Sequence, residues 1–380
     1  MRTPELRIRF VGSDMPVNAA AGRIAASRTD QRPDVVIIGD GIIGLTIARE
    51  MGRAGASCRV FGAPENGAAS VAAAGLLAPS TGKLSADAER FSRTSLAMYP
   101  DFVESLREYE PTLSMITGMI EVSKSAAQVD IGPETRRLSR DDVAALEPEL
   151  LAPNGGLFHV QDGAIDNVIL IRALRRAVAA RPTISVVLDD PIVKIELSSN
   201  DAAVLTRRGR RVSAGTIVVA AGAWSTMIKG LPRPLPVAPL KGQMLAVASS
   251  AISRPVLTDY VYLVPRAAEI VIGATAEHAG FDVSVVAAAI EELKQSAVDA
   301  CPALAGATTL RSWAGIRPAT PDMLPILGPD PADSRVVYAC GHSKNGILLA
   351  PATGEGIAGV LLGRESAVDI SAFGISRFPV

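Results

Sequence analysis

A glycine-rich segment near the start of the chain carries the clearest signal for chemistry. Gly39, Gly41 and Gly44 form a Gly-x-Gly-x-x-Gly pattern. In such a turn the first glycine permits a sharp bend, the second lets the backbone approach a pyrophosphate, and the third allows the following helix to pack on the preceding strand. The free N–H groups and the positive dipole end of that helix attract the phosphates. The pattern therefore predicts a dinucleotide site.

The residues on both sides of this turn supply the elements that it needs. Residues 35–38 are a continuous β-branched run, typical of a strand buried on both faces of a parallel sheet. Apolar residues at three- and four-residue spacing predict a helix over 43–54, which Gly55 closes, and a second strand follows over 57–61. The unit is complete within about 30 residues and predicts an α/β fold with a Rossmann-like domain.

The composition excludes several classes of protein. The chain has 380 residues, and 38 Lys and Arg against 39 Asp and Glu give a net charge of −1. With this charge and 4% aromatic residues, the chain lacks the basic field and the stacking platforms of nucleic-acid-binding proteins. Cys58, Cys301 and Cys340 form no Cys-x-x-Cys motif. We therefore expect no disulfide framework, no zinc knuckle and a reducing compartment.

Other chemistries and locations find little support in the sequence. His159, His278 and His342 are too scattered for a metal site, and no Gly-x-Ser-x-Gly elbow or Walker A motif occurs. No stretch approaches the ~20 apolar residues of a membrane helix. Residues 1–33 lack the apolar run of a secretory signal, so we expect them to form a loosely ordered extension or an added edge element.

Strand and helix signals alternate along the rest of the chain. Strands are predicted over 184–188 and over 216–224, where the second ends in a turn of small residues. A hairpin is predicted over 192–197 and 203–207, and a second block of strands over 244–248, 261–265 and 270–274. Helices are predicted over 85–109, 169–180 and 283–298. The length allows two or three domains, and strands of one sheet that interrupt those of another indicate two interleaved domains.

Four further segments resemble those of a known family. They cover residues 72–77, 262–266 with 272–275, 313–322 and 341–354. The last, Gly-His-Ser-Lys-Asn-Gly-Ile-Leu-Leu-Ala-Pro-Ala-Thr-Gly, is the most specific. With the glycine turn, they resemble the glycine oxidase branch of the D-amino-acid oxidase (DAO) family of FAD-dependent oxidoreductases. The resemblance runs over 34–363, nearly the whole chain.

The resemblance implies an extended FAD and a mixed substrate-binding sheet that covers the isoalloxazine ring. The implied reaction moves a hydride from the α-carbon of an amino acid to the flavin, after which the imine hydrolyses and O2 is reduced to H2O2. The FAD-binding domain is expected over 34–82, 156–225 and 310–365, and the substrate-binding domain over 83–155 and 226–309. The resemblance also implies a cytoplasmic homo-oligomer whose partners are a small amino-acid substrate and O2, with no nucleic acid or membrane.

Four residues at matching positions are expected at the substrate. Arg317 matches the arginine that clamps the carboxylate with a bidentate pair, and Tyr262 matches the tyrosine that adds a hydrogen bond. Lys344 stands where glycine oxidases typically carry an arginine, so it keeps the charge without the fork. Ala276 stands where the family can carry a larger methionine. The smaller side chain indicates a substrate bulkier than glycine, such as sarcosine or an N-carboxymethyl amino acid.

A larger set of matching positions is expected to bind FAD. Those at the pyrophosphate are Gly39, Gly41, Ile42, Ile43 and Gly44. Those along the ribityl chain and flavin are Ser70, Ala74, Gly75 and Leu76, and Ile192 is expected against the adenine. Those beneath the pyrimidine end of the flavin are His342, Ser343, Asn345, Gly346, Ile347 and Leu348.

Two positions depart from the family at the adenosine end. The second strand normally ends in an acidic residue that binds the ribose hydroxyls, and here that place is Gly62; Glu65 stands three residues further on. Losing one charge-assisted contact costs roughly 1.5–3 kcal/mol of binding free energy. Asp40 also brings a negative charge into the glycine turn. Both departures predict a weaker dinucleotide site than usual.

Other hypotheses stay open at this point. The chain could be a dehydrogenase subunit that passes electrons to a partner protein, or an oxidase of D-amino acids. A third alternative is a catalytically silent binding protein that keeps the DAO fold. Titration with FAD separates this last hypothesis from the enzymes, because a silent protein without a working dinucleotide site binds no FAD.

Overall fold

The structure is a computed structural model that describes residues 32–63, 67–81, 85–122 and 132–379. Most of the expected N-terminal extension, and Glu65, lie outside the described residues. The strands in chain order are β1 (Val35–Ile38), β2 (Cys58–Phe61), β3 (Leu76–Leu77), β4 (Met115–Val122), β5 (Thr135–Leu138), β6 (Gly156–Ile165), β7 (Ile184–Val187), β8 (Ile192–Leu197), β9 (Ala202–Thr206), β10 (Arg211–Ala214), β11 (Thr216–Val219), β12 (Ala238–Ala248), β13 (Val256–Thr258), β14 (Tyr262–Arg266), β15 (Glu269–Gly273), β16 (Thr309–Ala319), β17 (Ile326–Pro329) and β18 (Val336–Cys340). The α-helices are α1 (Ile42–Arg53), α2 (Ala69–Ala72), α3 (Ala86–Ala97), α4 (Tyr99–Glu104), α5 (Arg140–Leu146), α6 (Asn167–Ala179), α7 (Ala287–Ala300) and α8 (Gly346–Leu362).

The first sheet has six strands in the order β17-β18-β11-β1-β2-β7. All neighbours are parallel except β17 and β18. The strand β1 is central and pairs Val35 with Cys58 on one side and with Thr216 on the other. All four of its residues are buried, as the continuous β-branched run predicts.

Apolar packing covers both faces of this sheet. On one face, residues of α1, α6 and α8 form a core with alternate residues of β1, such as Val35 and Ile37. On the other face, Val36 and Ile38 pack with residues of β8, β9 and β10, which form an antiparallel three-stranded sheet. The central sheet is therefore the middle layer of an α/β arrangement.

A second large sheet is mixed and has nine strands, in the order β16-β12-β15-β14-β13-β4-β6-β3 with β5 paired to β6. The pair β13 and β4 is parallel, whereas the other pairs are antiparallel. Its strands alternate along the chain with those of the six-stranded sheet. The fold class is thus confirmed as a Rossmann-like α/β domain with a mixed-sheet partner.

The residue limits of the two expected domains stay a prediction. The strands β3, β6 and β16 belong to the nine-stranded sheet, although they lie mostly within the segments expected to bind FAD. Among the described helices, none combines the length and the apolar character that a membrane crossing requires.

Candidate active site

A cavity of about 680 Å³ contains nearly all of the predicted site residues. Ile38, Phe61 and Cys340, at the carboxyl ends of three parallel strands, contribute to its wall. The nine-stranded sheet supplies Tyr262 and Arg317. Its volume lies within the range of about 300–1,000 Å³ that is usual for ligand sites, and its position is the one at which open α/β sheets bind ligands.

The glycine turn leaves no space for larger residues at its first and third positions. Gly39 has φ of +120°, and a Cβ atom there would lie 2.3 Å from the Ala220 carbonyl oxygen. A Cβ atom on Gly44 would lie 2.0 Å from the Gly39 carbonyl oxygen. Gly44 therefore does not line the cavity but lets α1 pack directly on the turn. This assigns the third glycine the packing role that the motif predicts.

The start of α1 faces the cavity with an open amino end. Gly41 is its N-cap residue and supplies no side-chain cap, and the Ile42 N–H donates to Ser70 Oγ at 3.0 Å. Gly41, Ile42 and Ile43 all line the cavity. Backbone N–H groups and a helix dipole directed at an open space suit a pyrophosphate, so the residues present fit a dinucleotide cofactor.

The segment around α2 is held by two side chains that the sequence did not predict, Arg266 and Asn167. Arg266 Nη2 donates to the carbonyl oxygens of Ala73 at 3.2 Å and Ala74 at 2.9 Å, and also bonds the Asn167 amide oxygen. Asn167 Nδ2 donates to the Ser70 carbonyl at 2.7 Å. Burial lowers the pKa of the Arg266 guanidinium.

The same segment is fixed at two further points. Trp313 Nε1 donates to the Ala72 carbonyl oxygen at 2.9 Å. Gly75 has φ of +84°, and a Cβ atom there would lie 1.9 Å from the Ile165 carbonyl oxygen. Ala74, Gly75 and Leu76 line the cavity as predicted. The position of Arg266 and Trp313 within the two family-like segments was the signal for their role.

The segment before α8 turns sharply and brings its backbone to the cavity. Gly341 has φ of +73° and Ser343 has φ of +51°. Asn345 is the N-cap residue of α8 without a side-chain cap, so this helix also presents an open amino end. His342, Ser343, Asn345, Gly346 and Ile347 line the cavity. Two helix N-termini thus belong to one cavity wall, where both favour a negative charge.

His342 and Leu348 have structural contacts at this place. His342 Nε2 lies 3.1 Å from Thr353 Oγ1, and burial lowers the pKa of the imidazole to about 3, so the ring is neutral. Leu348 does not line the cavity; it is buried, and its carbonyl oxygen accepts from Ser95 Oγ at 2.7 Å. Tyr99 anchors the preceding residue by a hydrogen bond to the Ile347 carbonyl.

Arg317 and Tyr262 lie together on neighbouring parts of the nine-stranded sheet. Arg317 Nη1 donates to the carbonyl oxygens of Thr275 at 3.0 Å and Lys241 at 3.4 Å. Within the described ranges, no ion pair joins Arg317 to a carboxylate. Burial raises the pKa of the Tyr262 hydroxyl, with the nearby Arg317 as an opposing influence. The site therefore holds an oriented cation and a protonated hydroxyl.

Two glycines make room for this pair. A Cβ atom on Gly242 would lie 2.4 Å from Arg317 Nη2, and one on Gly273 would lie 2.4 Å from the Tyr262 hydroxyl oxygen. Gly273 lies within the family-like segment 272–275, whereas Gly242 lies outside all of these segments and gave no sequence signal. Both glycines line the cavity, so the space beside the two polar groups stays open.

The remaining predicted residues also lie on the cavity wall. Lys344 is exposed there, and Ala276 follows the Thr275 carbonyl that orients Arg317. Ile192 is buried at the start of β8, and Gly62 follows the end of β2. The structure therefore brings together every predicted site residue except Gly44 and Leu348, which pack behind the wall.

One cavity thus combines the dinucleotide turn of an α/β sheet with an arginine oriented for a small anion. This arrangement defines a dinucleotide-dependent enzyme of an acidic substrate. Residues 34–359 match the family described as FAD dependent oxidoreductase (DAO). The chain belongs to this family, and its cofactor is FAD.

The most similar relatives include several glycine oxidases. The glycine oxidase of Geobacillus kaustophilus is 30% identical over 372 residues, which cover 91% of this chain and 97% of that protein. The bifunctional protein ThiO/ThiG of Trichormus variabilis is 33% identical over 373 residues, and the match covers 91% of this chain but only 55% of that longer protein.

Solved structures agree with these sequence matches. The crystal structure of the G. kaustophilus glycine oxidase gives a TM-score of 0.84 at 29% identity and covers 92% of this chain and 100% of that one. The iminodiacetate oxidase IdaA of Chelativorans sp. BNC1 gives a TM-score of 0.82 at 27% identity, with 90% and 98% covered. The predicted family, fold and cofactor are thereby confirmed.

Proposed function

We propose that this chain oxidises the C–N bond of glycine or of an N-substituted glycine, and that O2 is reduced to H2O2. The observation that carries the proposal is Arg317, whose guanidinium lies in the FAD-family cavity, is oriented by two backbone carbonyls and forms no ion pair with a carboxylate of the described residues. A cation oriented in this way is suited to a carboxylate. The glycine oxidases and the iminodiacetate oxidase among the relatives support the same substrate class.

The chain contributes binding and orientation to this reaction. When bound, FAD would supply the redox chemistry, which is hydride acceptance from the substrate α-carbon and electron transfer to O2. Arg317 binds the substrate carboxylate, and its bonds to the Thr275 and Lys241 carbonyls hold the guanidinium plane in one orientation. The Tyr262 hydroxyl, which its raised pKa keeps protonated, donates a hydrogen bond to the same carboxylate. Two contacts fix the carboxylate and therefore restrict where the α-carbon can lie.

The other end of the substrate is expected to face Ala276 and Lys344. A methyl side chain at position 276 leaves space in the cavity, and Lys344 supplies an exposed positive charge. We propose that this space accepts the N-substituent of sarcosine or of an N-carboxymethyl amino acid, and that Lys344 attracts a second carboxylate as a point charge. The imine product then hydrolyses in water to an aldehyde acid or keto acid and a free amine.

The test is a peroxide-release screen of the FAD-loaded protein. Glycine, sarcosine, N-carboxymethyl amino acids and D-amino acids are compared, and anaerobic bleaching of the flavin absorbance is recorded with each. The proposal expects peroxide and bleaching with glycine or an N-substituted glycine. Bleaching by a D-amino acid alone, or by none of the compounds, contradicts it. Bleaching without peroxide contradicts the oxidase and favours a dehydrogenase that serves a partner protein.

Three expectations from the resemblance stay predictions. They are the homo-oligomeric state, the cytoplasmic location and the individual FAD contacts of the cavity residues. Size-exclusion chromatography with light scattering tests the first. Cell fractionation tests the second, and substitutions at the cavity wall test the third through the dissociation constant of FAD.

A further inference from the structure

The two residues that depart from the family at the adenosine end touch each other. Asp40 follows the first glycine of the turn, and Gly62 follows the last residue of β2. A Cβ atom built on Gly62 would lie 2.4 Å from both Cγ and Oδ1 of Asp40, and 2.7 Å from its Cβ. The carboxylate of Asp40 therefore occupies the volume in which a side chain at position 62 would begin.

The end of the second strand is the place where such folds recognise adenosine. An acidic side chain about 20 residues beyond the glycine turn normally bonds the ribose hydroxyls there. In this chain the residue at that place has no side chain, but a carboxylate reaches the same place from the neighbouring turn. The Gly39 N–H donates to the Phe61 carbonyl at 2.7 Å, so the backbone of the turn and the end of β2 are held together.

One oxygen of the Asp40 carboxylate accepts a hydrogen bond, and the residue lies on the cavity wall. Asp40 Oδ2 accepts from Arg175 Nη2 at 3.0 Å, whereas Oδ1 has no hydrogen-bond partner within the described residues. Asp40, Gly62 and Ala63 all line the cavity, and the Asp40 side chain is 15% exposed. Arg175 also offsets the negative charge that Asp40 places near a pyrophosphate, since opposite charges at this distance attract.

We propose that Asp40 binds the adenosine ribose hydroxyls of FAD, and that Gly62 lacks a side chain to make room for it. The carboxylate that normally comes from the end of β2 is supplied here by a residue of the glycine turn. The two departures are then one exchange rather than two separate weaknesses. This inference rests on FAD binding and is independent of which amine the protein oxidises.

The test compares FAD with an analogue that lacks the ribose hydroxyls. Apoprotein of the full chain is titrated with FAD and with its 2′,3′-dideoxyadenosine analogue, and the quenching of flavin fluorescence gives each dissociation constant. We expect wild-type protein to bind FAD about 10-fold to 100-fold more tightly than the analogue, because bonds from hydroxyls to a carboxylate are lost. In Asp40→Ala this ratio is expected to fall to near one.

The ratio separates a ribose contact from a purely structural ion pair. Loss of the Arg175 bond or of charge near the phosphates changes the affinity for both flavins equally and leaves the ratio unchanged. A ratio in Asp40→Ala that equals the wild-type ratio, or a wild-type ratio near one, overturns the proposal. Asp87→Asn, which removes the carboxylate of an exposed ion pair on α3, is the matched control and keeps the wild-type ratio.

A reciprocal exchange gives a second measurement. Asp40→Gly removes every Asp40 atom that crowds Gly62, and Gly62→Glu then has room to restore an acid at the end of β2. The double variant is expected to regain the preference for FAD over the dideoxy analogue that Asp40→Gly loses. A double variant with no preference contradicts the exchange. Flavin reduction by substrate is recorded separately, so failure of the proposed oxidation does not affect either readout.

Discussion

Substitution of Arg317 by alanine tests the core of the proposed function. The guanidinium is oriented by the Thr275 and Lys241 carbonyls, and it forms no ion pair with a carboxylate of the described residues, so it can bind the carboxylate of a substrate. Two hydrogen bonds between charged partners at about 1.5–3 kcal/mol each amount to about 3–6 kcal/mol of binding free energy. We therefore expect kcat/KM of Arg317→Ala to fall about 10²-fold to 10⁴-fold.

The assay is the rate of flavin reduction under anaerobic conditions, measured together with peroxide release and the dissociation constant of FAD. Affinity for FAD is expected to stay within about threefold, because the loss concerns a carboxylate contact. Arg364→Ala serves as control, since Arg364 pairs with Glu355 on the surface outside the cavity. If Arg317→Ala keeps kcat/KM within about threefold of the wild type, Arg317 is not the carboxylate ligand.

Three further predictions follow from the cavity and its surroundings. Gly242→Ala places a Cβ about 2.4 Å from the Arg317 guanidinium, which moves aside because it is the flexible end of its side chain. We therefore expect kcat/KM to fall at least about 10-fold while the thermal midpoint and the flavin spectrum stay unchanged, and an unaltered kcat/KM contradicts this. Ala276→Met is expected to lower kcat/KM for N-carboxymethyl substrates more than for glycine, and equal losses argue against the proposed space for the N-substituent. The pKa of His342 is about 3, below the value of about 6.5 in an unfolded chain, so between these pH values only the unfolded state binds the proton. The free energy of unfolding therefore falls as the pH drops from about 6.5 toward 3, by up to about 1.4 kcal/mol per pH unit. Urea unfolding of His342→Gln should show a shallower dependence on pH, and a slope equal to that of the wild type contradicts a neutral buried ring.

The parts of the fold that follow from local patterns were predictable from the sequence. The β-branched run of β1, the spacing of α1 and the hairpin of β8 and β9 each match their elements closely. Local patterns suffice here because a strand buried on both faces, or a helix buried along one stripe, requires apolar residues at positions that can be read directly from the sequence.

The strands β4 and β6 were not predicted because polar side chains interrupt their apolar pattern. His159 Nε2 lies 2.9 Å from Glu121 Oε2 across the two strands, and Asp162 on β6 accepts from the Ser80 hydroxyl at 2.9 Å. These partners are distant in sequence, so only the folded chain shows that the buried polar groups are satisfied.

The candidate site also has residues that the sequence predicted and contacts that only the folded chain shows. Family-like segments identified Arg317 and Tyr262, but the room that Gly242 leaves for the guanidinium depends on the pairing of β12 with β16. Likewise, Asp40 and Gly62 each looked like a defect when taken alone. Their contact is a property of the turn and the strand end together, and neither local pattern contains it.

The strand β14 limits which parts of the cavity can vary when the substrate specificity of this enzyme changes. Tyr262, the proposed second contact of the substrate carboxylate, is its first residue, and Arg266, its last residue, is bonded to the Ala73 and Ala74 carbonyls beside the expected flavin position. Four residues of extended chain set about 13 Å between these two points. The separation is fixed by covalent geometry, so a replacement elsewhere on the cavity wall, such as at Ala276, can change the substrate space without moving Tyr262 relative to Arg266.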